Sequence, residues 1–203
     1  MISCLVLAAG ESKRFPGNKL LYEIKPNVSI IEYLLRSIIA SNIDQTIVVL
    51  GHEAEIIKKR IEYLLSNSVS TIFNNDYKEG GMSSSIRIGI DPLLDNEAIL
   101  VTPGDIPLIP SNTFNFILDY FNLHRPNIII PTYNNYKGHP ILISSKLFQE
   151  TRNISEEKHG LKEIVDLHWN EIVFLSTNVK GILRDIDSID DIVRLKKVLK
   201  NQK

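Results

Sequence analysis

The sequence predicts an α/β fold, a three-layer α/β/α sandwich with a mainly parallel, mixed sheet, because short apolar strand candidates alternate with segments of helical period. Runs that are apolar on both faces are typical of strands covered by helices on each side. Right-handed crossovers then place the loops that follow the strands along one edge, where ligands bind in such folds. The strand candidates are residues 3–7, 46–50, 70–73, 98–102 and 127–130.

Helical patterns lie between these strands. The first is opened by Ser29, and the patterns cover residues 30–38, 56–64, 82–90 and 113–121. The later chain is less regular. It is expected to form a strand near the sheet edge, a helix opened after Gly160, another strand and a final helix, over residues 140–144, 159–169, 172–175 and from 189 onward. Ser188 is the expected N-cap of the last helix, and Asp191 three residues later nearly completes a capping box.

Size and composition limit the classes of protein. The 203 residues favour a single domain over 1–203, and the 43% apolar and 23% charged residues are typical of a globular chain. A net charge of -1 gives no field that would attract nucleic acid or an anionic membrane. The lone cysteine, Cys4, lies inside an apolar run, which excludes a disulfide framework and a cysteine-rich zinc site. The apolar start lacks a basic region and is shorter than a membrane span, so a cytoplasmic protein is expected.

The loop after the first strand has the features of a phosphate-binding turn. Small residues at Ala8, Ala9 and Gly10 let the backbone approach a ligand, and successive N–H groups in a tight turn bind anions. A short helix starting near residue 11 or 12 would add a partial positive charge. Arg14 and Lys19 bring two full charges, as a triphosphate requires. The alternative is a polar turn with two solvated cations; the loop is neither a P-loop nor a dinucleotide fingerprint.

These residues carry a family resemblance. The loop resembles the signature of the molybdopterin-type nucleotidyltransferases, which include molybdenum cofactor cytidylyltransferases and proteins of molybdopterin-guanine dinucleotide biosynthesis. The resemblance implies a nucleotide-diphospho-sugar transferase-like fold and a triphosphate held by the loop. The Ala-Ala-Gly form is similar to the cytidylyltransferase branch, whereas the guanylyltransferase branch usually has Ala-Gly-Gly, so CTP is expected ahead of GTP. The matching positions are Leu7, Ala8, Ala9, Gly10, Ser12, Arg14, Gly17 and Lys19.

An acidic residue, Asp105, follows the fourth strand in a turn that Pro103, Gly104 and Pro107 restrict. A carboxylate at this edge suits Mg²⁺, which is usually bound by one or two carboxylates and substrate phosphates. The alternative is an aspartate that caps the next helix. The segment at 104–107 resembles the family's Gly-Asp-x-Pro, whose Asp coordinates the metal, and this implies Gly104 and Asp105 as site residues.

Two further segments match the family. Two glycines and a serine-rich helix start could bind the base or ribose through N–H groups and hydroxyls, although a serine here is also a normal N-cap. The residues concerned are Gly81, Met82, Ser83, Ser84 and Ser85. Gly138 and His139 precede an apolar strand, as in the family's Gly-His-Pro near the acceptor pocket. His139 is interpreted as a binding residue, or alternatively as a structural histidine.

A second acidic segment, Asp185-Ile186-Asp187, is interpreted as a short strand end. Residues two apart then share one face, so that Asp185 or Asp187 could complete a metal site with Asp105. The family's similar Asp-Ile-Asp-Thr-Pro segment lies beside the metal. The chain departs from the family after the acceptor strand, where Lys158 replaces the acid of a Gly-Asp-x-Gly-x-Arg stretch.

The sequence therefore predicts an enzyme with a nucleotide-binding half at 1–110 and an acceptor-binding half at 111–203. With Mg²⁺ it would transfer CMP from CTP to a phosphorylated acceptor such as molybdopterin, and release pyrophosphate. Arg14, Lys19 and Asp105 are the expected catalytic residues. The acceptor phosphate is already ionised, so no protein nucleophile is needed. An apo-enzyme that receives the product is a possible partner. The alternatives are another acceptor such as a sugar phosphate, GTP as donor, or a redox or nucleotide-sensing relative on the same fold.

Overall fold

The computed structural model describes residues 1–13 and 15–200, and of Lys200 only the backbone. The strands in chain order are β1 (Ile2–Ala8), β2 (Glu23–Lys25), β3 (Val28–Ser29), β4 (Gln45–Leu50), β5 (Val69–Phe73), β6 (Ala98–Pro103), β7 (Ile128–Tyr133), β8 (Tyr136–Lys137), β9 (Ile141–Ser144) and β10 (Ile172–Ser176). The helices are α1 (Ile30–Ile39), α2 (Ala54–Ile61), α3 (Gly81–Ile90), α4 (Ser111–His124), α5 (Phe148–Arg152), α6 (Leu161–Leu167) and α7 (Ile189–Lys200). None of the helices in these described ranges is long and apolar enough to cross a membrane.

The main sheet has the strand order β10-β7-β9-β6-β1-β4-β5, with β8 added beside β7. The pairs β1–β4, β1–β6, β4–β5 and β10–β7 are parallel, whereas β9 is antiparallel to both β6 and β7. A small antiparallel ribbon of β2 and β3 lies apart from this sheet. The predicted mainly parallel, mixed sheet is confirmed.

Two apolar cores cover the two faces of the sheet. Cys4 and Val6 of β1 belong to the core shared with α1, α2, α4 and α7, whereas Leu5 belongs to the core shared with α3, α5 and α6. This alternation follows from the period of two along a strand, and it gives the three predicted layers. Helix α3 approaches β1 closely, because a Cβ on Gly89 would lie 2.2 Å from Leu5 Cδ1.

One strand lies elsewhere than expected. The sequence placed residues 140–144 near the sheet edge, but β9 lies inside the sheet between β6 and β7. Leu142 and Ile143 are buried because β9 has neighbours on both sides and helices on both faces. An antiparallel central strand has the same apolar pattern as an edge-adjacent one, so only the pairing reveals its position.

Three local expectations are also corrected. Residues 185–187 form no strand, and their segment is held where the Ile186 N–H donates to the Asp105 carbonyl at 3.0 Å. The described residues near 11 and 12 form no helix; the first helical turn after β1 is a 3-10 turn at Lys19–Leu21. The helix expected at 159–169 is the shorter α6. The sequence reading also missed the β2–β3 ribbon, β8 and α5.

Candidate functional site

A cavity of about 430 Å³ opens at the carboxyl edge of the sheet, beyond the ends of β1 and β6. Its position is the one that the strand order predicts for a ligand site. Most of the predicted site residues line it: Leu7, Ala8, Ala9, Gly10, Ser12, Lys19, Gly81, Met82, Ser85, Asp105 and Asp187. The structure thus brings together residues from four separate parts of the chain.

Backbone hydrogen bonds fix the loop that follows β1. The His52 N–H donates to the Ala9 carbonyl at 3.1 Å, and the Gly104 N–H donates to the Leu7 carbonyl at 2.9 Å. Ser12 adopts a left-handed backbone with φ of 53°, and its hydroxyl accepts from the Lys19 N–H at 3.4 Å. These bonds anchor the described part of the loop at Leu7, Ala9 and Ser12.

The Lys19 ammonium lies between two carboxylates on the cavity wall. Its Nζ contacts Asp105 Oδ2 directly and lies 3.2 Å from Asp187 Oδ1. Burial of Lys19 by itself disfavours the charged ammonium, but hydrogen bonds and charges from Asp105 and Asp187 outweigh it, so the pKa of Lys19 is raised. Lys19 therefore carries a fixed positive charge in the cavity at neutral pH.

The donor set around Lys19 fits a hard divalent cation. Asp105 Oδ1 is buried and has no hydrogen-bond partner among the described residues, so this oxygen can accept a further cation or water. No group of three or more His, Cys, Asp or Glu residues able to hold a metal ion occurs in the described chain, so Asp105, Asp185 and Asp187 do not come together as one cluster. Asp185 is exposed and does not line the cavity, since residues 185–187 are not a strand that aligns the two carboxylates. A metal role for Asp105 and Asp187 stays a prediction.

The serine hydroxyls at the start of α3 are used within the fold. The Ser83 N–H and Oγ donate to Glu156 Oε1 at 2.6 and 2.8 Å. The Asn74 side-chain amide donates to Ser84 Oγ at 2.8 Å and to Ser85 Oγ at 3.0 Å. Of the three serines, Ser85 alone lines the cavity, so the structure places the expected contacts of Ser83 and Ser84 elsewhere.

Three further predicted residues, Gly104, Gly138 and His139, do not line the cavity. A Cβ on Gly138 would lie 2.7 Å from the Ile182 carbonyl oxygen, so Gly138 permits close packing. The His139 N–H donates to that same carbonyl at 3.0 Å, and its Nδ1 is buried without a partner in the described chain. Burial lowers the pKa of His139, although Asp105, the Val101 backbone and Asp185 oppose the shift. Gly104 is likewise a packing residue, held against Leu7.

Sequence reasoning missed several residues of the site. Lys13, Phe15, Leu20, Tyr77 and Pro103 also line the cavity. Lys13 and Pro103 lay inside the segments already singled out, so proximity in sequence could have indicated them. Tyr77 comes from the connection between β5 and α3, and no sequence signal pointed to it. Arg14 lies outside the described residues, so its predicted role stays a prediction.

Comparison with solved structures defines the fold class of the chain. A nucleotidyl transferase from Methanothermobacter superposes with a TM-score of 0.83 at 20% identity, over 100% of this chain and 99% of that chain. Rv0371c from Mycobacterium tuberculosis, solved in complex with manganese, gives a TM-score of 0.74 at 23% identity, over 97% and 98% of the two chains. At these identities the likeness shows the fold.

The sequence itself shows the family. Residues 4–172 match the MobA-like NTP transferase domain, and the chain belongs to that family of nucleotidyltransferase enzymes. The bifunctional protein GlmU of Acetivibrio thermocellus is 30% identical over 176 residues, which is 80% of this chain and 36% of that protein. The chain thus spans about a third of this curated relative's length. The molybdenum cofactor cytidylyltransferase of Escherichia coli is 24% identical over 96% of this chain and 95% of its own. The predicted fold class, family and enzyme class are confirmed.

Proposed function

We propose that the protein transfers CMP from CTP to a phosphorylated acceptor, with molybdopterin as the first candidate, and releases pyrophosphate. The observation that carries this proposal is the contact of Lys19 with Asp105 and Asp187, in a cavity whose wall is the loop after β1. A cation can stabilise the charge on the phosphates, and a pair of carboxylates can hold a metal ion, as transfer from a triphosphate uses them. The whole-length similarity to the cytidylyltransferase and the Ala8-Ala9-Gly10 form support CTP and molybdopterin.

The chain's own groups bind and orient the triphosphate. Backbone N–H groups around Ala9 and Gly10 would donate hydrogen bonds to the phosphate oxygens. Lys19 and Arg14 would stabilise the negative charge that develops on the leaving pyrophosphate. An oxygen of the acceptor phosphate attacks the α-phosphorus of CTP, a new P–O bond forms, and the bond to the β-phosphate oxygen breaks. Cys4 is no nucleophile, because it is buried in β1 and burial raises the pKa of its thiol.

The proposed cofactor is Mg²⁺, held by Asp105 and Asp187. Bound there, the ion would neutralise phosphate charge and align the triphosphate. The orphaned Oδ1 of Asp105 supports this role, and the manganese complex of the structural neighbour supports a divalent cation. Lys19 would then exchange its carboxylate contacts for the phosphates of the bound nucleotide.

A second candidate is the same transfer to another acceptor, such as a sugar phosphate. Two observations favour keeping it. Lys158 replaces the acidic residue of the family's acceptor stretch, and the 30% identical relative carries a name other than cytidylyltransferase. The donor half of the site is common to both candidates, so they differ only in the acceptor. A cytoplasmic location is part of the proposal, because both candidate reactions use phosphorylated metabolites.

Pyrophosphate release tests the proposal. CTP, GTP and ATP are each combined with molybdopterin or glucose 1-phosphate, with and without Mg²⁺. We expect release with CTP and molybdopterin, and a loss of about 100-fold in Asp105→Asn, since removal of one electrostatic group costs roughly that factor. Asp95→Asn, an exposed aspartate before β6, is the matched control and should keep full activity. Undiminished release by Asp105→Asn would overturn the assignment, and release only with glucose 1-phosphate would select the second candidate.

A further inference from the structure

A second cavity, of about 690 Å³, shares no lining residue with the candidate site in the described chain. Its walls come from the β2–β3 ribbon, α1, the segment that leads into α4, the turn at Lys180–Leu183 and α7. The volume falls within the range of small-molecule sites, which is about 300–1,000 Å³. Nothing derived so far for the transfer reaction uses this cavity.

The cavity is lined by positive charge. Lys25, Arg36, Lys180 and Arg184 all line it, and its described lining contains no aspartate or glutamate. The whole chain has a net charge of -1, so four cations around one concave surface are a local excess. A cleft lined by one sign of charge raises the local concentration of oppositely charged ligands.

Neighbouring tyrosines contact two of these cations, Arg36 and Lys25. The Arg36 Nη2 donates to the Tyr63 hydroxyl at 2.8 Å, and Lys25 Nζ lies 4.9 Å from the centre of the Tyr33 ring. The Arg184 N–H donates to the Gly181 carbonyl at 3.1 Å and closes the turn that carries Lys180 at its start. The contacts of Arg36 and Lys25 with the tyrosines reduce the ordering entropy that a ligand would cost at these two side chains, whereas the Arg184 bond orders only the backbone of the turn.

Backbone and apolar groups complete the surface. Helix α4 has 14 residues and begins at the cavity with Ser111. No side chain caps its first N–H groups, so the N-terminus of the helix presents a partial positive charge to the cavity. Tyr33, Leu108 and Val179 supply apolar surface next to the cations. A cavity that combines several cationic side chains with an apolar wall suits a small organic ligand that carries phosphate groups.

We propose that this cavity is a second anion site, which binds a small organic molecule carrying two phosphate groups. The inference does not rest on the proposed reaction, because it uses none of the residues of the first cavity. The site lies against the segments at 107–111 and 178–184, which continue into Asp105 and Asp187, and the Ile186 N–H joins these segments by its bond to the Asp105 carbonyl. A ligand in the second cavity would therefore contact the two chain segments that lead to Asp105 and Asp187.

Calorimetric titration tests the proposal, with fructose 1,6-bisphosphate and inorganic pyrophosphate as the probes. We expect the bisphosphate to bind wild type, and the double variant Lys180→Gln/Arg184→Gln to bind it at least about tenfold more weakly, since two charge-assisted contacts are lost. Lys196→Gln/Lys197→Gln removes the same charge from the exposed side of α7 and should bind as wild type does. Equal binding by wild type and the cavity variant, or no binding by wild type, would overturn the proposal.

A second measurement locates the ligand without any substitution. Because the two cavities share no lining residue among those the structure describes, amide chemical-shift changes in the wild-type protein distinguish them. We expect the bisphosphate to shift the amide signals of Leu108, Ile109 and Ser111 and those of residues 179–184. Changes confined to residues 7–13 and 81–85 would place it in the first cavity and refute the second site. Pyrophosphate binding in place of bisphosphate binding would show that the site selects a free inorganic anion, against the proposed organic ligand.

Discussion

At the scale of single residues, one lysine and two aspartates dominate the candidate site. Lys19 and Asp187 are 168 positions apart in the chain, yet their charged groups lie 3.2 Å from each other. The sequence singled out each of them separately, because each belongs to a segment with a local chemical signature. It could not show that Lys19 occupies the space between the carboxylates, since this contact depends on how three loops converge.

The sequence did not indicate the contact between Glu156 and Ser83. Its Oε1 accepts from both the N–H and the hydroxyl of Ser83, and so ties the turn before α6 to the first turn of α3. A carboxylate at a helix N-terminus is also favoured by the helix dipole. Gly81 has a positive φ of 55°, and a Cβ there would lie 2.5 Å from Glu156 Cδ, so the two segments are closely fitted.

We predict that Glu156→Ala lowers the free energy of unfolding by about 1 kcal/mol, because two hydrogen bonds to a charged acceptor are lost at an exposed site. Urea denaturation measures the change. Glu157→Ala, at the exposed neighbouring position, is the control and should stay within about 0.5 kcal/mol of wild type. Equal stabilities of the two variants would show that the Ser83 contact contributes nothing.

At the scale of elements, local signals predicted helix starts well. Ser29 and Glu32 form a capping box at the start of α1, in which the Ser29 N–H and hydroxyl donate to Glu32 Oε2 at 2.8 and 2.6 Å. Ser188 and Asp191 form the expected similar pair before α7. Such pairs join residues three apart, so the sequence alone contains them. The position of β9 and the β2–β3 ribbon involve distant partners and were not predictable in this way.

We predict that Ser29→Ala costs about 1–2 kcal/mol of stability, near the upper end for an N-cap, because its pair with Glu32 is buried. Glu32 also accepts from Arg60 Nε at 2.6 Å and from the Tyr63 hydroxyl at 2.6 Å, so the cap is part of a larger network. Ser188→Ala is the matched variant at an exposed cap and should cost about half as much. Denaturation midpoints compare them; a larger loss in Ser188→Ala would contradict the role of burial.

At the scale of the whole molecule, charged side chains join distant parts of the surface. His168 lies between two glutamates, with Nε2 2.8 Å from Glu150 Oε2 and Nδ1 3.0 Å from Glu171 Oε1. Hydrogen bonds with Glu150 and Glu171 raise the pKa of His168. Both ring nitrogens can donate only when the imidazole is protonated. The bridge therefore links α5 to the segment before β10 in a pH-dependent way.

We predict a loss of stability as the pH rises through this titration. The folded-state pKa of His168 lies above its unfolded value, so its contribution is complete below about pH 6.5 and disappears as the pH passes the raised value. Unfolding free energies measured between about pH 6 and pH 9 should fall in wild type and fall less in His168→Gln. His124→Gln, on α4, is the control and should keep the wild-type slope. A wild-type slope in His168→Gln would refute the prediction.

The sequence by itself determined the alternation of strands and helices, the small-residue loop after the first strand, the acidic turn at Asp105 and the family. These features are local, because they arise from periodicity, turn chemistry and short spacings. Tertiary structure decided the central place of β9, the convergence of Lys19 with Asp105 and Asp187, the use of Ser83 by Glu156 and the exposure of Asp185. Each of these depends on which distant segments become neighbours, and that is set by the packing of the whole sheet and its two helical layers.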